Sequence, residues 1–371
     1  MKLGITGADG LLGFHARCCL HALKHTHETR LATRDTFASP AALDEFVRGL
    51  DGILHFAGVS RAPEVEVETG NMVLAESLLA ALRRTGATPA IAYANSTHVA
   101  CDNAYGRGKR AAAQLLEQWG AGIGARVGNF ILPHVFGESG KPFYNSVVST
   151  FCHQLARGEE PRIDVDSELE LLHAQDVAEH FLNWLQDGAA PGGEIRLRGM
   201  RMRVSQLLER LRMLLARYAG QGAVPNLDAA TDLRLFNTLR SYLYPDLYPR
   251  PLELKKDARG ELFEAVKADQ GGQIFLSNTV PGATRGNHWH LRKIERFLVI
   301  GGRGVIRIRK LFTDEVLDFE VNGEVPVYID IPTLHTHSIT NTGEGLLQTL
   351  FWANQIFDPA HPDTYPEPVL P

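Results

Sequence analysis

The chain has 371 residues, of which 44% are hydrophobic and 22% charged, with a formal net charge of −5. At roughly 100–200 residues per domain, this length suggests two globular domains. The balance lacks the basic surplus that nucleic-acid binding recruits. No apolar run approaches the ~18 residues that a bilayer span requires. The segment MKLGITGADGLLG has no charged region followed by an apolar region and a cleavage site, so a cytoplasmic protein without a membrane partner is expected. Cys18, Cys19, Cys101 and Cys152 show no CxxC spacing and are too few for a disulfide scaffold; they read as reduced thiols.

In chain order, residues 2–6 read as a short buried strand, followed by a Gly-rich turn and an apolar helix over 11–23. A second strand ends near residues 31–33, and residues 52–56 form a third. Leu74, Leu78, Leu79 and Leu82 share one face of a helix over 71–84. A strand over 90–94 and a helix over 108–119 follow. This alternation predicts a parallel α/β sheet. Helices are expected over 206–218 and 232–243. Near residue 245 the texture changes to a Pro- and Tyr-rich stretch, then to short β-rich runs at 273–278, 296–300, 304–310, 325–331 and 346–352. We therefore expect an α/β domain over 1–245 and a small all-β barrel or sandwich over 246–371.

Thr6-Gly7-Ala8-Asp9-Gly10-Leu11-Leu12-Gly13 is a Gly-rich turn between a strand and a helix. Its glycines allow a tight turn and close approach of a pyrophosphate, which then sits at the helix N-terminus. Gly7, Gly10, Leu11, Leu12 and Gly13 are expected to contact a dinucleotide. An acid usually ends the second strand to bind the ribose 2′-OH. Here Arg34 stands just past the strand, a charge suited to a 2′-phosphate, so NADPH is expected. Asp35 follows it immediately. Tyr105 and Lys109 form a YxxxK pair on one helix face, with Ser96 ending a strand nine residues earlier. Lysine charge would lower the tyrosine pKa; the tyrosine would exchange a proton with a carbonyl, and Ser96 would hydrogen-bond the same oxygen.

Together these features resemble the extended short-chain dehydrogenase/reductase family over residues 1–245. The resemblance implies cofactor contacts from Phe56, Ala57 and Gly58 in His55-Phe56-Ala57-Gly58. It implies others from Asn71 and from Pro133 in Pro133-His134-Val135-Phe136-Gly137. His134 replaces the usual Asn, and Ile131 stands where an Arg is common. His173-Ala174-Gln175-Asp176-Val177 resembles a later element of the same family.

In the C-terminal part, His288 and His290 lie at i and i+2, Glu295 follows after four residues, and His337 comes 47 residues after His290. Three imidazoles and a carboxylate on a β-fold suit one divalent metal, and zinc suits this mixed set. The spacing resembles the two motifs of the cupins, with Leu334 in place of a glycine; His335 is a rival ligand. Residues 257–264 and Arg285-Gly286-Asn287-His288 also resemble dTDP-sugar 3-epimerases, in which this histidine would be the base, not a ligand. We expect the metal.

A reductase followed by a cupin with Gly286-Asn287-His288-Trp289-His290, ending in Asp358-Pro359 and His361-Pro362-Asp363-Thr364-Tyr365, resembles the CapF family of capsular and O-antigen biosynthesis. The resemblance implies a bifunctional, homodimeric enzyme acting on a UDP-sugar. The cupin would epimerise C3 of a UDP-2-acetamido-2,6-dideoxy-4-hexulose. The reductase would then reduce the C4 ketone to UDP-2-acetamido-2,6-dideoxy-L-talose, the precursor of UDP-N-acetyl-L-fucosamine. Lys293 and Tyr328 are candidate bases at C3. Two alternatives remain: a 4-ketosugar reductase on another nucleotide sugar whose cupin only dimerises the chain or binds sugar, and a non-enzymatic NADP(H) sensor.

Overall fold

The computed structural model describes residues 1–23 and 26–370. The elements begin β1 (Lys2–Thr6), α1 (Leu11–Ala22), β2 (Glu28–Ala32), α2 (Arg34–Ala38), α3 (Pro40–Val47), β3 (Gly52–His55), α4 (Glu64–Thr85) and β4 (Ala90–Ser96). They continue with α5 (Ala104–Ile123), β5 (Val127–Leu132), β6 (His134–Phe136), α6 (Val147–Ala156), β7 (Glu168–His173), α7 (Ala174–Gln186), β8 (Gly193–Arg196) and β9 (Met200–Arg203). By packing, the chain forms two units: Met1–Thr150 with Ile163–Gln206, and Phe151–Arg162 with Leu207 onward.

The first unit is built on a six-stranded sheet of order β2-β1-β3-β4-β5-β8, parallel throughout. Strands such as β3 and β5 are buried along their whole length, as expected where helices cover both faces. Ala16, Leu20, Val177 and Phe181 from α1 and α7 fill one side. Leu43, Phe46, Leu78, Leu82 and Leu116 from α3, α4 and α5 fill the other. The chain runs from β1 outward to β2, then returns to β3 on the other side of β1. Ligands of such sheets bind beyond the C-terminal strand ends at this reversal. A three-stranded sheet, β6-β7-β9, lies in the same unit. Helices α4 and α5 begin earlier than their apolar periodicity suggests, because Pro63 and the Asn103 cap start them.

The second unit adds α8 (Val204–Leu215), β10 (Ala223–Val224), α9 (Ala230–Leu243), β11 (Arg250–Pro251), β12 (Lys255–Asp257), β13 (Gly260–Leu262), β14 (Lys267–Ala268), β15 (Gln273–Thr279) and β16 (Thr284–Trp289). It ends with β17 (Glu295–Gly301), β18 (Arg303–Lys310), β19 (Val316–Asn322), β20 (Val327–Ile331), β21 (His335–Asn341), β22 (Leu347–Ala353) and β23 (Tyr365–Pro366). Two five-stranded antiparallel sheets, β11-β20-β17-β22-β15 and β19-β18-β21-β16-β23, make its body. Phe297, Ile306, Ile308, Ile329 and Ile339 from both sheets share one core.

The change of texture at residue 245 is not where packing divides the chain. Helix α9 buries Leu235, Phe236, Leu239 and Leu243, and Arg240 Nη2 donates to Ile331 O at 2.7 Å. Asn237 Nδ2 donates to Arg292 O at 2.9 Å. The buried Arg296–Asp330 pair, at 2.6 Å, also receives the Tyr218 hydroxyl at 2.7 Å. Side chains before residue 245 thus complete a polar network inside the β-rich unit. Among the described residues, no helix is long and apolar enough to cross a membrane.

Candidate active site and candidate metal centre

At the end of β1, Gly7 adopts φ +66°. A Cβ there would lie 2.8 Å from Ala57 N, and one on Gly13 would lie 2.2 Å from Gly7 O. These two glycines therefore allow the turn to press against the β3 loop and α1 against the turn. Gly10 is exposed and heads α1, which has no side-chain cap. The first-turn N–H groups of Leu11 and Leu12 remain for an anion. The Thr6 hydroxyl accepts from Ala57 N at 3.1 Å and shares a hydrogen bond with His55 Nδ1 at 2.7 Å. Burial and the Lys109 charge push His55 down to about 3, so the ring stays neutral. Asn71 braces the Phe56–Gly58 segment: its Oδ1 accepts from Val59 N at 3.2 Å and its Nδ2 donates to Val59 O at 2.7 Å. Arg34, in the first turn of α2, is exposed, and its guanidinium pairs with no acid among the described residues.

Ser96 ends β4 and pairs with Leu132 on β5, so Pro133 leaves the sheet beside it. Tyr105 and Lys109 both lie in the first turns of α5. The lysine does not lower the tyrosine in this state. Burial, with Tyr144 adding to it, pushes the Tyr105 hydroxyl up to about 12. Burial alone pulls Lys109 down to about 7. Lys109 Nζ instead donates to Ala94 O at 2.7 Å and sits 4.6 Å from the Tyr93 ring centroid. The His98 ring lies 5.9 Å from that of Tyr105. His134 opens β6 beyond β5, where the protein around its ring and the nearby His98 lower its pKa.

In the second unit, antiparallel pairing of β16 and β21 sets His288 beside His337. A register shift between Gly286 and His288, with Asn287 at φ +57°, turns the strand end. His290 therefore lies one residue past β16, not on it. Ligand atoms of His288, His290, Glu295 and His337 all fall within 4.8 Å of one another. Glu295 Oε2 is 3.1 Å from His290 Nε2, 3.3 Å from His337 Nε2 and 3.6 Å from His288 Nε2.

The other ring nitrogens decide what this cluster can hold. His290 Nδ1 lies 2.6 Å from Asp363 O, and His337 Nδ1 lies 3.4 Å from His335 O. A carbonyl only accepts, so His290 Nδ1 carries the proton and its Nε2 offers a lone pair. His337 has an acceptor at each ring nitrogen, His335 O at 3.4 Å and Glu295 Oε2 at 3.3 Å, so its Nε2 offers a lone pair in one of its two tautomers. His290 Nε2 is buried without a hydrogen-bond partner. Burial pushes His337 down to about 4. Burial works against the Glu295 charge, but the three histidines hold its carboxyl well below the usual range. Imidazole lone pairs facing a carboxylate oxygen fit a cation between them, so this donor set suits a divalent metal.

Lys293 Nζ is 3.4 Å from Glu295 Oε1 and 2.8 Å from Thr364 Oγ1. It lines a cleft with Glu295, Phe275, Phe357 and His361. Tyr328 is elsewhere: its ring lies 3.7 Å from the Arg296 guanidinium. His335 also turns away, its ring 5.3 Å from that of Tyr244.

Asp363 is the residue that motif spacing does not reveal. Its carboxylate accepts from Leu291 N, Arg292 N and Lys293 N at 3.0, 3.0 and 2.7 Å. Its own carbonyl holds His290. In the first unit, Ser60, Arg61, Tyr144 and Asn145 form an unforeseen hydrogen-bonded group.

Residues 3–196 match the NAD dependent epimerase/dehydratase family, and residues 255–365 match the polysaccharide biosynthesis C-terminal domain. The chain is 33% identical, over 98% of itself and 98% of the relative, to a UDP-2-acetamido-2,6-beta-L-arabino-hexul-4-ose reductase of Pseudomonas aeruginosa. It is 31% identical to the capsular polysaccharide assembling protein CapF of Staphylococcus aureus, with a TM-score of 0.63 over the whole of both chains. A UDP-N-acetylglucosamine 4-epimerase from Methanobrevibacter ruminantium M1 shares the fold of 65% of this chain, at 98% of its own length, 14% identity and a TM-score of 0.54.

Proposed function

The chain belongs to the NAD dependent epimerase/dehydratase family and, along its whole length, to the CapF family, and from this we propose that it is a bifunctional UDP-sugar enzyme. The first unit reduces the C4 ketone of a UDP-2-acetamido-2,6-dideoxy-4-hexulose. The second, which we read as a cupin barrel, first inverts C3. The product is UDP-2-acetamido-2,6-dideoxy-L-talose, precursor of UDP-N-acetyl-L-fucosamine. The observation that carries this reading is the pairing of two sites in one chain. Ser96, Tyr105 and Lys109 line the C-terminal edge of a dinucleotide-type sheet, and the His288, His290, Glu295 and His337 cluster meets the Lys293 cleft through Glu295.

NADPH, held at Gly7, Gly10, Leu11, Leu12, Gly13, Arg34, Phe56, Ala57, Gly58, Asn71, Lys109 and Pro133, supplies the hydride. Tyr105 gives its phenolic proton to the C4 oxygen as that oxygen gains charge, and Ser96 donates a hydrogen bond to the same atom. A tyrosine near 12 is protonated at neutral pH, the form that reduction needs.

At C3 the reacting proton is α to the C4 ketone. A divalent cation, zinc in our reading, supplies electrophilic stabilisation of the ketone oxygen. Lys293, within reach of Glu295 and lining the cleft, removes or returns the C3 proton, and the opposite face of the sugar receives the replacement. The protein works in the cytoplasm as a homodimer formed through the second unit. Strand β15 supports that assembly: it is a sheet edge on which Ile274 and Leu276 are 61% and 63% exposed, an unusual edge for a monomer to leave uncovered. The same edge favours a second reading, in which this unit only assembles the chain and the reductase acts on another nucleotide sugar. Mass spectrometry of products from a panel of UDP-4-keto sugars, with and without NADPH, separates the two. The first reading expects a C3-inverted ketone without NADPH and a reduced sugar with it; reduction without any C3 inversion would favour the second.

A further inference from the structure

Beyond Pro133 the chain forms β6, then Gly137 and Glu138. Glu138 is buried together with two histidines from distant elements, His15 of α1 and His173 at the end of β7. Its Oε2 lies 2.9 Å from His173 Nε2 and 3.8 Å from His15 Nε2. His15 Nε2 also lies 3.0 Å from the Glu138 carbonyl oxygen. The two rings meet edge to face with centroids 5.2 Å apart. The backbone passes between them: a Cβ on Gly137 would come within 2.9 Å of His15 Nε2 and 3.1 Å of His173 Nε2.

Three such groups could suggest a second metal, but the tautomer argues otherwise. His173 caps α7 by accepting from Gln175 N at its Nδ1, at 3.3 Å. The proton therefore sits on Nε2, which donates to Glu138 and has no lone pair for an ion. This is the reverse of His290. Burial opposes the Glu138 charge, yet the His173 and His15 imidazoles hold its carboxyl below the usual carboxylate range. The cluster is a hydrogen-bonded anchor around an ionised carboxylate. At the other end of the same segment, His134 neighbours His98, which faces Tyr105.

We propose that Glu138 is a positioning residue: anchored between His15 of the phosphate-binding helix and His173 of β7, it fixes the Pro133–Gly137 segment beside Ser96 and Tyr105. The proposal rests on the reductase reading of the first unit. Misplacement of groups around a reacting centre by about 1 Å can cost about 10²-fold in rate, whereas the phosphate-binding turn is set by its own glycines. Loss of the anchor therefore lowers kcat more than cofactor affinity.

The test uses the full chain and three variants, Glu138→Gln, which keeps the size of the side chain, His173→Asn and the double variant, with NADPH and UDP-2-acetamido-2,6-dideoxy-4-hexulose. Turnover per folded molecule and NADPH affinity, read by nicotinamide fluorescence, are measured on the same samples. Glu138→Gln should lower kcat by about tenfold or more while NADPH affinity stays within about twofold. The double variant should be no worse than the poorer single one, because both changes cut one contact. Unchanged kcat in folded Glu138→Gln overturns the proposal, as does NADPH affinity falling in step with kcat, or additive losses in the double variant. A purely structural role would lower the melting temperature without changing turnover per folded molecule. Should Glu138→Gln not fold, His173→Asn alone decides by the same split. Wild-type protein that binds NADPH but reduces no UDP-4-keto sugar would instead remove the reductase reading itself, and the proposal with it.

Discussion

The roles proposed for Lys109 and its buried setting pull its charge in opposite directions. Binding a ribose and supporting Tyr105 call for an ammonium, yet burial pulls the group from 10.5 to about 7. The sign follows directly. The charged form is present below about 7 and is lost as the pH rises through that value. If NADPH capture needs the ammonium, kcat/KM for NADPH should fall above pH 7, because that ratio reports the free enzyme. Lys109→Arg, which keeps its charge, should shift the limb upward; an unmoved limb would assign it to another group. Arg34 poses a simpler question. It is exposed and pairs with no acid among the described residues, so a 2′-phosphate can claim it outright. Losing one charge-assisted contact of about 1.5–3 kcal/mol, Arg34→Ala should raise KM for NADPH by about tenfold or more. KM for NADH should hardly move. Equal effects on the two cofactors would remove Arg34 from the site.

At the scale of elements, what the sequence reveals depends on how local a contact is. The turn around Gly7 and Gly13, the Tyr105–Lys109 pair and the His288/His290 pair each sit within one element or its end, so spacing alone exposes them. Asp363 escapes such reading because His290 lies 73 residues away in sequence. The anchor at Glu138 joins groups 123 and 35 residues apart. The raised Tyr105 pKa was not legible either, since it arises from burial and from Tyr144 on another loop. The loop from Leu291 to Lys293 owes its form to Asp363, which accepts three of its N–H groups. Residues that orient a metal's histidines are typically worth about 10–100-fold in affinity. Elemental analysis should find one divalent ion per wild-type chain and little in His290→Ala. Asp363→Ala keeps the carbonyl that holds His290 but releases the loop that follows it, so in a chelator competition it should lose its ion more readily than wild type, by less than the full loss of an orienting group would cost. Metal content unchanged in His290→Ala would mean that the four side chains do not hold an ion.

For the whole molecule, residue 245 marks a change of composition, whereas packing gathers α9 and most of α8 with the β-rich unit. Sequence texture follows secondary structure; it cannot report that Tyr218 reaches the buried Arg296–Asp330 pair and Arg240 the neighbouring Ile331 carbonyl. Each candidate site nonetheless lies wholly within one unit: Ser96, Tyr105 and Lys109 in the first, the histidine cluster and Lys293 in the second. Two chemistries held on two units should be separable by point substitution. His290→Ala should stop C3 exchange yet still reduce a 4-ketone supplied with the right C3 configuration. The most direct test is solvent deuterium uptake at C3 of UDP-2-acetamido-2,6-dideoxy-4-hexulose, without NADPH, by folded Tyr105→Phe protein. Removing the phenolic proton donor should slow NADPH oxidation by about 10²–10⁴-fold and leave deuterium uptake at the wild-type rate. Loss of uptake in that variant would mean that C3 epimerisation does not reside in the second unit, and would contradict the assignment of two reactions to two sites.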